Sequence, residues 1–451
     1  MSRTLATAAW YGDSELSLDY PTSWSVSTLW PDTPPPLDGE ALQKALANPV
    51  RQPRLADFAA GKTKPIVIVD DLTRPTPAAD VVPLLLRELA LAGLAAEQIS
   101  FIVGTGTHGP ADHGSVVKKI GPDAAARVRI VPHDHRRNVV AVGRTSFGTR
   151  VFVNREVADS DLVVGIGGVY PQHSTGFGGG SKLALGVCGF RTIRDLHYRH
   201  PSMKGSYEVE NDFRRDLDEV ASLIGLQTSV SIHVDENRRI VRLVCGDHQA
   251  YYHDAVEFAR RTYAAPLPGE ADVVIANAYP IDVSLTFMRS KGVIPLLHAG
   301  RRASKVIVAA CPEGIGHHGL FPFIDPPRFA RARHVLRVIR ARPLEVPTKV
   351  MRRARGKVTR FGRLQSPGNG STGLASSGNP IWLYVPGSTR TPLPDAIPGM
   401  NPVYSWSQII ENIEAEQGGR RSLKAIVYPC APLQVLQIAQ STSAVVTDAL
   451  E

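Results

Sequence analysis

Pro65-Ile66-Val67-Ile68-Val69-Asp70-Asp71-Leu72-Thr73-Arg74-Pro75-Thr76-Pro77 joins an unbroken apolar, β-branched run to a polar turn. An apolar run that does not alternate with polar residues reads as a strand covered on both faces. Residues 78–92, rich in Ala and Leu, read as the helix that follows it. The same alternation continues, with strands expected at 99–103, 128–131 and 161–166. Strands alternating with helices give an α/β fold with a mainly parallel sheet flanked by helices. In such sheets ligands bind beyond the carboxyl ends of the strands. Three polar, Gly- or Pro-containing segments occupy that position, 70–77, 104–110 and 167–182, and they are where a site is expected.

Further along, Ala264-Ala265-Pro266-Leu267-Pro268-Gly269 reads as a linker. Strands are expected at 271–275, 305–310, 381–385 and 424–428, with a helix at 406–415 and a Gly/Ser/Pro-rich loop at 366–379. The expectation is two α/β domains, 1–266 and 270–451, with the active site in the cleft between them. At 451 residues, two cores are the default.

Composition narrows the function classes. Hydrophobic residues make up 43% and charged residues 21%, which fits a globular chain and not a disordered one. No run of 18 apolar residues occurs, and residues 1–11 lack the basic and apolar regions of a signal peptide. The four cysteines are dispersed with no CxxC pair, so a cytoplasmic, reducing setting is expected. The net charge of +9 invites a nucleic-acid reading, but residues 325–363 hold thirteen Lys/Arg against two acids. That local excess exceeds the whole chain's, and it lacks interleaved aromatics, so neither nucleic acid nor membrane is expected as a partner.

The chemistry-bearing residues lie in the three loops. His173-Ser-Thr-Gly176-Phe-Gly178-Gly179-Gly180-Ser-Lys182 places four glycines before a lysine. Glycines allow a ligand close to the backbone N–H groups, and the lysine adds charge or a nucleophilic amine. The spacing is not that of a Walker A loop, because Ser181 separates Gly180 from Lys182. Asp71, Thr73 and Arg74 can bind a ribose and a phosphate, or can serve as ordinary turn and cap residues. His108, in Gly104-Thr-Gly-Thr-His108, reads either as a general acid/base or as a polar loop residue.

Taken in order, Asp71-Leu-Thr-Arg-Pro75, Gly106-Thr-His108, Gly176-Phe-Gly-Gly-Gly-Ser-Lys182, His197, Pro280-Ile-Asp282, Lys291-Gly292 and Cys311-Pro-Glu-Gly-Ile-Gly-His317 resemble the lactate racemase family that uses a nickel-pincer nucleotide. The resemblance implies a racemase or epimerase of a 2-hydroxy acid, served by proteins that build and insert the cofactor. It implies that Lys182 holds the cofactor covalently and that His197 ligates nickel. Asp71, Thr73, Arg74 and the loop glycines would line the cofactor, Arg74 and Lys291 would hold the substrate, and His108 and His173 would be the acid/base pair. The implied chemistry is reversible transfer of the substrate's Cα hydride to the cofactor.

The chain departs from the family's pattern in several places. His173 stands one position nearer the glycine loop, Gly178 replaces a Ser, and the proline expected near Leu185-Gly186 is missing. Met288 replaces a glutamine, and the interval from Asp282 to Lys291 is one residue longer. These changes make His200 the fallback metal ligand and point to a substrate bulkier or less polar than lactate. Two other readings use the same residues: a zinc-dependent hydrolase built on His173, His197 and His200, and a nucleotide- or carboxylate-binding homologue without catalysis.

Overall fold

The computed structural model describes residues 1–172, 174–200, 207–321 and 380–437, less positions 388, 390, 391 and 395. The basic segment 325–363 and the loop 366–379 lie outside the described residues. Among the described residues, two six-stranded sheets organise the chain. The first runs Ile240–Gly246, Leu226–Val234, Leu162–Gly168, Pro65–Asp70, Ser100–Gly104, Arg129–Val131 across the sheet. It is parallel except for the antiparallel edge pair Leu226–Val234 with Ile240–Gly246.

Residues 66–69 alternate between two cores, which explains why the run has no polar face. Ile66 and Ile68 pack with Leu183, Ile193, Leu196 and Phe213 on one side. Val67 and Val69 pack with Leu42, Leu46, Leu85 and Leu89 on the other. Each such side chain, fully buried, contributes about 1.5–3 kcal/mol. Two helices cover the first face, Phe190–Arg199 and Asp212–Leu223, and Gly39–Ala47 and Val82–Leu91 lie on the second.

The second sheet is parallel throughout: Met400–Val403, Ile381–Tyr384, Ser304–Val308, Val273–Asn277, Lys424–Tyr428, Ser25–Thr28. Its last strand, Ser25–Thr28, comes from near the amino terminus and pairs with Lys424–Tyr428. Asp282 helps hold that early segment in place. Its carboxylate accepts from the backbone N–H of Ala8 at 2.8 Å and of Ala9 at 3.1 Å. Among the described residues, no helix is long and apolar enough to cross a membrane.

The strand order locates the site. From Pro65–Asp70 the chain winds one way through Ser100–Gly104 to Arg129–Val131, and then the other way through Leu162–Gly168 to Leu226–Val234. The reversal leaves a crevice beyond the carboxyl ends of Pro65–Asp70 and Leu162–Gly168, where loops diverge to opposite sides.

Candidate active site

A cleft opens at that reversal, lined by Arg74, His108, Tyr170, Lys182, His197 and His318 among others. Its floor is the loop after Pro65–Asp70. Asp70 accepts from the Thr76 hydroxyl at 2.6 Å and pairs with Lys119 at 2.7 Å. Lys119 is fully buried and also donates to the Thr76 carbonyl at 2.8 Å, so the turn is pinned from beneath.

Asp71 faces His108, not the open cleft. Its Oδ2 lies 2.6 Å from His108 Nδ1, while Oδ1 accepts from the Thr73 hydroxyl at 2.5 Å and the Thr73 N–H at 3.1 Å. Burial opposes ionisation of Asp71, but His108 and Arg74 outweigh it and hold the carboxyl below its usual range. An ionised carboxylate requires His108 to donate its Nδ1–H. Burial also keeps His108 below the free-imidazole value, against the pull of Asp71. His108 is therefore a neutral ring whose Nε2 carries a lone pair. Thr73 supports Asp71, and Arg74 alone of the trio Asp71, Thr73 and Arg74 lines the cleft.

The glycines of the loop pack closely against the chain itself. A Cβ on Gly176 would lie 2.4 Å from the Glu208 carbonyl oxygen, and one on Gly178 would lie 2.7 Å from that of Gly168. On Gly179 it would meet Val169 at 2.6 Å, and on Gly180 it would meet Tyr252 at 2.9 Å. These glycines are required because the chain packs on itself, and three of them, Gly176, Gly179 and Gly180, have positive φ. Only Gly178 and Gly179 reach the cleft. Arg214 clamps the loop from behind, donating to the carbonyls of Phe177 at 2.9 Å and Gly179 at 3.2 Å.

Lys182 begins the passage from this loop into a 3-10 segment, Gly180–Val187, that is seated on the sheet by a Gly186–Gly104 contact. Burial, with Arg74 and Arg214 nearby, brings its amine down to about 7. Near neutrality much of it is a free, nucleophilic amine.

His197 sits in the last turn of Phe190–Arg199 and lines the same cleft. Its Nδ1 donates to the Ile193 carbonyl at 2.7 Å, which leaves the Nε2 lone pair available. Burial lowers its basicity to about 4, so the ring is neutral. A neutral imidazole oriented by a backbone carbonyl is the usual form of a metal-ligating histidine. His200 does not share this role. The helix ends at Arg199, and the His200 ring is turned away to donate Nε2–H to Asp216 at 2.7 Å. His173 lies outside the described residues. His197 and His200 thus turn to different partners, and among the described residues no trio of His, Cys, Asp or Glu converges.

The second sheet supplies the opposite wall. Lys291 Nζ is buried, lies 4.6 Å over the Tyr170 ring and has no hydrogen-bond partner among the described residues. Burial and its neighbours Arg74 and Lys182 push its basicity well down. Met288 is fully buried in the core of the second sheet, so it says nothing about substrate size. Its neighbour Phe287 is the residue that meets His108, edge to face at 4.7 Å. A further site residue was not anticipated. His318, beyond the carboxyl end of Ser304–Val308, reaches the cleft with its ring 4.9 Å from that of His108. The signal available in the sequence was its place after Gly314 and Gly316, in a loop following a strand.

Residues 11–207 match the model of the lactate racemase N-terminal domain. The chain is 27% identical to a lactate racemase of Lactiplantibacillus plantarum over 304 residues, 64% of this chain and 71% of the relative. It is 28% identical over 296 residues to a lactate racemase of Thermoanaerobacterium thermosaccharolyticum, 62% of this chain and 68% of the relative. Among solved structures, the lactate racemase apoprotein of T. thermosaccharolyticum superposes with a TM-score of 0.69 at 21% identity, covering 97% of this chain and 100% of that one. A protein from Thermotoga maritima superposes with a TM-score of 0.59 at 16% identity, covering 90% of this chain and 99% of that one. The two superpositions agree on the fold.

Proposed function

We propose that this chain, whose residues 11–207 match the model of the lactate racemase N-terminal domain, is an isomerase that racemises or epimerises a 2-hydroxy acid on a nickel-pincer nucleotide. The observation that carries the reading is that Lys182 and His197, the residues matched to the cofactor anchor and the metal ligand, line one cleft together with His108.

The residues fit the group. A free amine at Lys182 is ready to form an amide-type bond, and His197 offers a neutral nitrogen to a soft-ligated, late first-row metal. Lys291 is a buried amine with no hydrogen-bond partner among the described residues, a donor that an anionic ligand can engage. When bound, the cofactor supplies a carbon that accepts hydride from the substrate and returns it.

The chain's own residues do the rest. Arg74 and Lys291 hold and orient the substrate carboxylate. His108 Nε2 takes the hydroxyl proton as the alcohol carbon becomes planar, while Asp71 fixes the ring in the tautomer that can accept it. His173 is retained in the proposal as the acid/base for the opposite enantiomer. The separation of domains at 266–270, closing over the cleft, is also part of the proposal.

The test is direct. Full-length chain co-produced with cofactor-building enzymes is incubated with single enantiomers of lactate and of larger 2-hydroxy acids, and the products are resolved by chiral chromatography. Interconversion without added nicotinamide is expected. Hydrolysis of esters or phosphates in place of interconversion would favour the hydrolase reading.

A further inference from the structure

His318 and His108 are neighbours fixed in opposite tautomers. At His318, Nδ1 accepts the backbone N–H groups of Leu320 and Phe321, each at 3.2 Å, with the Thr107 hydroxyl at 3.3 Å. Backbone N–H groups can only donate, so this nitrogen must present its lone pair and the ring hydrogen must sit on Nε2. His108 is the reverse, with hydrogen on Nδ1 toward Asp71 and the lone pair on Nε2. The His318 ring is held in place. Gly319 N–H donates to the Thr107 carbonyl at 2.7 Å, and the rings of Phe287 and Phe321 lie 6.1 and 5.3 Å from it.

We propose that His318 is a catalytic hydrogen-bond donor whose Nε2–H binds the C2 oxygen of the 2-hydroxy acid while His108 Nε2 takes that oxygen's proton. The inference rests on the racemase reading and assigns a role beyond it. A proton acceptor and a proton donor, their rings 4.9 Å apart, can address one oxygen together. The hydrogen bond strengthens as that oxygen turns from hydroxyl to alkoxide-like, so it favours the transition state over the bound substrate. Because its Nδ1 lone pair is engaged, His318 cannot exchange roles with His108: it donates and does not act as base. The neutral imidazole that polarises a carbonyl in triosephosphate isomerase works by the same principle.

Two amide substitutions separate this role from a structural one. His318→Asn keeps an acceptor where Nδ1 sits and so preserves the cap on Leu320 and Phe321, but it loses the far donor. His318→Gln keeps a donor near the position of Nε2 and loses the cap. With cofactor-loaded full-length protein and whichever 2-hydroxy acid the wild type turns over, His318→Asn is expected to lower kcat by about 10²–10³-fold with KM little changed. His318→Gln is expected to stay within about tenfold of wild type, and neither variant is expected to lose bound cofactor mass. Equal losses in both variants, or wild-type rates for His318→Asn, would overturn the proposal. Nitrogen-15 NMR of histidine-labelled, unloaded chain gives an independent reading: a His318 signal carrying hydrogen on Nδ1 would also overturn it. A wild type that turns over no 2-hydroxy acid would instead sink the racemase reading itself.

Discussion

Lys182→Ala protein, co-produced with the enzymes that make the cofactor, is expected to show the bare polypeptide mass and no isomer interconversion above background. No other amine replaces it. Lys291 reaches the region from the opposite wall, and Arg74 is a guanidinium that does not form such bonds. Intact-protein mass spectrometry reads the first outcome and chiral chromatography the second. The same lysine gives a pH signature in the unloaded chain. An amine brought down to about 7 is protonated below that pH and free above it. Its labelling by an amine-selective reagent should therefore rise through pH 7, some three units before an ordinary lysine near 10.4. Peptide mapping that found Lys182 labelling only above pH 10 would contradict the electrostatics of the cleft.

His108→Gln is expected to lower kcat by about 10²–10⁴-fold, the usual range for loss of a general base, while the covalent mass stays intact. Asp71→Asn should also lower kcat with the covalent mass intact, because the His108 ring is then free to take the wrong tautomer. The pH profile carries a sign that can be checked. Protonating His108 removes the base, so activity falls on the acid side. Burial lowers the ring's basicity, so the acid limb of kcat/KM should lie below the free-imidazole value of about 6.5. A limb displaced upward would mean that Asp71 dominates the ring's charge in the working enzyme.

The central strands were legible because a sheet buried on both faces needs continuous apolar runs, and Pro65–Asp70 and Val273–Asn277 have them. Other strands gave no such signal. Leu226–Val234 carries Thr228, Ser229, Ser231 and His233, all buried, and two of its hydroxyls are satisfied by Tyr251. Ser25–Thr28 is short and polar, and its partner strand is Lys424–Tyr428, a pairing that leaves no local pattern.

Loops after strands placed His108 and Lys182 at the cleft, since that position follows from topology alone. Helical phase caused the misreading at Met288. One residue turns a helix by about 100°, which puts Phe287 at His108 and Met288 in the core. The glycine loop was legible in part, since Gly178 and Gly179 line the cleft while the chain's own atoms crowd all four glycines. A sequence shows that Cβ atoms are missing, not whether a ligand or the chain's own carbonyls fill the space they leave. His318 comes from a loop of the second sheet, and only folding brings it to His108.

The central claim is that the Lys182 amine and the His197 imidazole meet on a single metal-bearing nucleotide. Diffraction from cofactor-loaded crystals, recorded on both sides of the nickel absorption edge, tests it most directly. The expected map has one nickel peak at coordination distance from His197 Nε2 and density continuous from Lys182 Nζ to the same group. A nickel peak at His200, or density at Lys182 that ends without reaching the metal, would contradict it.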